Sequence, residues 1–245
     1  MIKLNTPADD DPALDQSRLL HALWQTIRYA EVNGGIGLTQ TKAFNRKFAH
    51  WGAENFNWPQ YSADELLSIQ KVLNEWDVPP VGVIHDVMTI AKWGRHTKGV
   101  FKLSKSLSSL ATSRGKLFTE LAQHYLFRYN HDRFSRSDFT APGNWDIFLN
   151  VINVEAEQGL TEAHLTKTLY GLEPPSDTFD RVYRNHQWFL VSNVLRPLTW
   201  IGFLEEARAS DDRLADRIYR KTPLWSKCLT LDTDRYLTGI THPQP

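Results

Sequence analysis

Two widely separated stretches of this chain spell the same local grammar. In residues 83–110 a helix-patterned run reaches Trp93 and Gly94, a polar turn over 95–99 leads into the extended segment 100–103, and Ser104 stands where the next helix needs a cap. In residues 191–231 a helical run reaches Trp200, Ile201 and Gly202, an extended segment 203–206 follows, then a polar loop, a second extended segment 217–220, and Thr222-Pro223 at the head of a last helix. Glycine ends helices because it takes positive φ without strain, and a Ser or Thr oxygen caps the first free N–H groups of the next one. A chain that writes helix, hairpin, helix twice is therefore expected to be mainly α with small β-hairpins, arranged as two lobes.

The rest of the chain fits between these copies. Leu19, Leu20, Leu23, Trp24 and Ile27 recur at helical spacing before Asn33, Gly34 and Gly35, and Phe44, Phe48 and Trp51 mark a second helix over 41–51 after a short extended piece at 36–39. Ser62 with Glu65 spells a capping box, and Leu66, Ile69, Leu73 and Trp76 predict one helix running to Pro79. A helix over 81–93 with Gly94 as its stop, one over 105–110 and one over 116–127 complete the first lobe. Residues 145–157 and a Thr161-capped run to Tyr170 open the second. A long pattern from Thr178 contains Pro197, which must kink or split it. Residues 128–143 are polar and aperiodic, which places the domain boundary there. The division is an acidic N-terminal tail over 1–16, a first lobe over 17–135 and a second over 144–245.

Composition narrows the function. With 28 basic and 28 acidic residues the formal net charge is zero, so no whole-molecule field draws the chain to a polyanion. Any such contact is local. The longest apolar run, 189–204, is broken by Asn193, Arg196 and Pro197 and is too short to span a bilayer. The single Cys228 and a start that lacks a basic-then-apolar signal pattern lead to the expectation of a cytoplasmic protein without disulfides or membrane partners.

Helix, glycine-containing turn, and a wing rich in Asp and Arg at 208–216 resemble the second half of a winged-helix domain, in particular the MarR-like arrangement. The resemblance covers roughly 40 residues of the C-terminal half and 30 of the N-terminal half, and residues 36–48 read as a third, degenerate echo. It implies a regulator that touches DNA or RNA. The C-terminal wing is acidic or neutral through Glu205, Glu206, Asp211 and Asp212, which repels phosphate. The central copy carries Lys92, Arg95, Lys98, Lys102 and Lys105 around Trp93 and His96 with no acid among them. These cations and His96 form the candidate nucleic-acid-binding set, acting by counterion release, with a solvated basic face as the plain alternative.

Other chemistries are weaker. His50, His85 and Asp86 have the spacing of an HD-type metal phosphohydrolase, but no later helix supplies a closing Asp. His124 and His131 would share a face only on a helix extending past Tyr129. No phosphate loop, nucleophile elbow, HExxH or Cys cluster is present, so neither catalytic residues nor a metal or other cofactor are assigned. A protein partner is the remaining rival, with Trp51, Phe56, Trp58 and Tyr61 as its aromatic anchor.

Overall fold

A computed structural model describes residues 2–134, 138–176, 180–208 and 216–237. The chain is mainly α with small antiparallel sheets. It divides into two compact units, Thr6–Tyr129 and the combination of Met1–Asn5 with Asn130–Pro245. β1 (Lys3–Leu4) belongs to the second of these.

In the first unit α1 (Arg18–Asn33) starts where the Ser17 hydroxyl accepts the Leu20 N–H and ends at Gly34, whose φ of 70° no branched residue holds cheaply. Its stripe of Leu19, Leu20, Leu23 and Ile27 is buried. β2 (Ile36–Gly37), α2 (Arg46–Asn55) and α3 (Ala63–Leu67) follow, then α4 (Pro79–Ile90), β3 (Gly94–Thr97), β4 (Val100–Leu103), α5 (Lys105–Leu110) and α6 (Arg114–Phe127). The sheet order is β2-β4-β3, so the early strand joins the second strand of the hairpin. Residues 36–48 thus complete the sheet of this unit and are no third copy of the grammar.

Three expectations here need correction. The helix expected over 41–51 begins later, at Arg46, because Asn45 captures the Phe48 N–H and Leu38 bridges Phe44 across the preceding loop. The helix expected from Ser62 to Trp76 stops after five residues, although its capping box is made in full. Ile69 of the supposed stripe is 83% exposed, whereas Glu75 is 4% exposed, so the chain unwinds to turn a carboxylate inward. The glycine stop of α4 is also misplaced: Lys92 takes the left-handed conformation (φ 55°), and Trp93 N–H returns to the Met88 carbonyl.

In the second unit α7 (Trp145–Glu155) leads through β5 (Leu160–Thr161) to α8 (Glu162–Tyr170), which Thr161 caps, and then to α9 (Arg181–Leu190). A π-helical turn, Val191–Leu195, joins α9 to α10 (Arg196–Ile201). Pro197 lies in the first turn of α10, where a missing N–H is tolerated, so the π turn admits it without breaking the rod. β6 (Leu204–Arg208), β7 (Arg217–Lys221), α11 (Pro223–Cys228), β8 (Leu229–Thr230) and α12 (Asp234–Leu237) complete the unit, with sheet order β5-β7-β6. The loop expected as a wing lies outside the described residues over 209–215, Asp211 and Asp212 included.

Residues 2–16 are not the solvated tail that their acidity suggests. β1 pairs antiparallel with β8, Lys3 opposite Thr230 and Leu4 opposite Leu229. Within the first unit, the Asp9 carboxylate accepts from the Gly115 N–H at 2.9 Å and the Ser113 hydroxyl at 2.7 Å. The division at Asn5 and Thr6 therefore runs through the stretch assigned to one tail.

Candidate nucleic-acid interface

The hairpin β3–β4 is closed by Lys98 and Gly99, both at positive φ (49° and 78°), the signature of the two-residue turn whose twist suits its flanking strands. Side chains alternate across the sheet. Arg95 and Lys102 are direct cross-strand partners, which places two cations side by side on one face, with Lys98 at the tip. Like charges directly opposite each other destabilise a strand pair. Lys105 adds a second conflict: it is the first residue of α5, at the positive end of the helix dipole, in a first turn that contains no acid. Among the described residues no carboxylate pairs with Lys92, Arg95, Lys98, Lys102 or Lys105. All five are exposed.

His96 does not share that face. It is the register partner of the fully buried Phe101 and points to the opposite side, where its Nε2 lies 3.0 Å from His85 Nε2. His85 in turn sets its Nδ1 2.8 Å from Glu75 Oε2, which also accepts the Phe44 N–H. The Phe44 ring stacks on the His85 ring, with centroids 3.9 Å apart. A Glu-His-His chain thus pins the underside of the hairpin to α4 and to the turn at Glu75–Asp77. Burial, helped by His85 and Lys42 and opposed by Glu75, holds His96 below the usual imidazole range, so His96 anchors the hairpin more than it charges it. Glu75 was invisible in the sequence because it breaks the apolar stripe it interrupts.

The other candidates separate. Both ring nitrogens of His85 are engaged within the Glu-His-His chain, and His50 Nε2 accepts the Leu73 N–H at 3.4 Å, so the HD-type spacing does not gather into one centre. Among the described residues no three His, Cys, Asp or Glu side chains are placed to hold a metal ion. α6 ends at Phe127, and His131 lies in a separate 3-10 turn of the other unit. Of the aromatic anchor, Phe56 and Trp58 are 1% and 3% exposed and belong to the core. No helix among the described residues is long and apolar enough to cross a membrane.

α4 is buried nearly all round, through Pro80, Val81, Val83, Ile84, Val87 and Met88. It offers no polar face to a groove, whereas α9 presents Arg184, Asn185, Gln187 and Trp188 beside Arg217 of β7, a group the sequence reading overlooked. Its signal was the mixed polar content of α9 outside Tyr183, Phe189 and Leu190.

Residues 15–116 match the family model of the Y4jL N-terminal domain, and residues 135–223 match that of the y4jL C-terminal domain. The chain is 37% identical over 164 residues to the uncharacterized protein y4jL of Sinorhizobium fredii (strain NBRC 101917 / NGR234), an alignment that spans 66% of this chain and 73% of that protein. No solved structure matches the chain significantly.

Proposed function

The chain belongs to the Y4jL family, and on that premise we propose that it is a non-catalytic, winged-helix-type nucleic-acid-binding or regulatory protein whose contact surface is the hairpin β3–β4. The observation that carries the reading is the unrelieved charge conflict: Arg95 faces Lys102, Lys105 sits at the wrong end of a helix dipole, and no described acid compensates. A phosphate backbone relieves both at once. Further support is that each unit runs helix, strand, a set of helices and hairpin, with the short α3 intervening between α2 and α4 in the first, and that the early strand is added to the hairpin's second strand, as in a winged helix. Because α4 is buried, the hairpin contributes affinity through phosphates and not base readout.

The test is duplex DNA and RNA binding across a salt series. Replacing Arg95, Lys98 and Lys102 together with Ala should weaken binding similarly for all sequences. It should also flatten the slope of log affinity against log salt by roughly 2 to 3, because each phosphate contact releases about one counterion. Absence of binding at low salt by the unaltered protein overturns the reading.

A further inference from the structure

We propose that the cleft beside α9 in the second unit is a binding pocket for a single nucleotide. The cleft encloses about 450 Å³, within the range of small-molecule pockets. Its wall is the polar side of α9, whose other side buries Tyr183, Phe189 and Leu190 and so fixes the helix in place. Trp188 is 42% exposed and offers an aromatic face on which a base stacks. Arg184 and Arg217 bring two guanidinium groups of the kind that bind phosphate in bidentate fashion. Asn185 and Gln187 add amides that carry donor and acceptor together, as the edge of a base requires.

The floor is preorganised. Glu162 pairs with Arg217 and accepts the Tyr219 hydroxyl at 3.1 Å, which holds the guanidinium at the cleft wall before any ligand arrives. Glu162 also adds an acceptor for a ribose hydroxyl or an exocyclic amine. The π turn begins at Val191, the last residue that this helical rod gives to the cleft, and its buried Ser192 Oγ and Asn193 Oδ1 have no hydrogen-bond partner among the described residues. Such turns concentrate at functional sites, and this one sets the end of the wall. Because Glu162 and Arg217 stand against it, the polar side of α9 is recessed and receives one inserted nucleotide more readily than it lies along a duplex groove.

Isothermal titration of the full chain with adenosine 5′-monophosphate, a short oligodeoxyadenylate and inorganic phosphate tests the proposal. One nucleotide should bind per chain, and inorganic phosphate should bind more weakly than the nucleotide. Tighter binding of the oligonucleotide identifies an unpaired strand position as the natural ligand, and equal binding identifies a free nucleotide. Trp188→Ala should weaken binding roughly tenfold, as loss of one stacked base does, and Arg184→Ala should weaken it as well. Replacing Arg95, Lys98 and Lys102 should leave nucleotide binding unchanged, which separates failure of this site from failure of the hairpin. Absence of nucleotide binding, phosphate binding as tight as nucleotide binding, or binding that both single variants leave intact overturns the proposal.

Discussion

Glu75 ties the loop before α2 to α4 from inside the first unit. One of its carboxylate oxygens accepts from a backbone N–H and a buried imidazole, and the residue is 4% exposed. Glu75→Ala would strand the Phe44 N–H and the His85 Nδ1–H in the interior, so the expected loss is about 3 kcal/mol of stability, read from denaturant midpoints. Glu75→Gln, which keeps an acceptor, should lose less. Acidity acts on the same unit through histidine. His96 and His124 both titrate below the usual imidazole value, chiefly because burial disfavours the cation; Glu75 opposes the shift at the first and Glu120 at the second. The unfolded chain therefore takes up these protons first, near pH 6.5. Their contribution is fully present above that pH and is lost as pH falls through the folded values. Denaturant midpoints should drop between about pH 7.5 and pH 5.5, and His124→Gln should shallow that drop.

At the scale of elements, capping was the most legible part of the sequence. Ser62, Ser104, Thr161 and Thr222 each cap the helix that their spacing announced, because a side-chain oxygen before an apolar run meets free N–H groups whatever the tertiary context. Both hairpins were legible from their extended segments, although 94–97, the first strand of the central one, reads in the sequence as part of a polar turn over 95–99. The extent of the helix after Ser62 was not, since its end depends on where His85 waits for Glu75, and the cleft on α9 was not, since it needs Glu162 and Arg217 brought from other elements. Gly94 illustrates the difference. The sequence marks it as a helix stop, but its role is in the sheet: a Cβ there would stand 2.2 Å from the Phe101 ring, itself fully buried. Gly94→Ala should cost about 1–3 kcal/mol by overpacking. If the hairpin is the binding element, the same change should weaken nucleic-acid binding while leaving the charges in place, which a salt series would reveal.

At the scale of the whole molecule, the chain leaves the second unit after Asn5 and returns to it at Asn130. The β1–β8 ladder, reinforced by the Asn5 N–H on the Cys228 carbonyl at 2.8 Å, covers a segment whose cysteine is fully buried. Removing residues 1–5 should therefore speed thiol modification at Cys228 by an aromatic disulfide reagent, with the first unit's unfolding midpoint unchanged. No periodicity could have announced this ladder, because each strand is two residues long and the Asn5 side chain meets Thr230 across 225 positions. That separation also orders events at the ribosome. The first unit has its whole sheet within one continuous stretch and can close as soon as it emerges. Lys3 and Leu4 are made before it, yet wait for Leu229 and Thr230, roughly 10 to 50 s at ordinary elongation rates. Until Leu229 and Thr230 emerge, β1 stays an unmatched edge, so a unit contributed by two distant stretches closes later than the one nested between them.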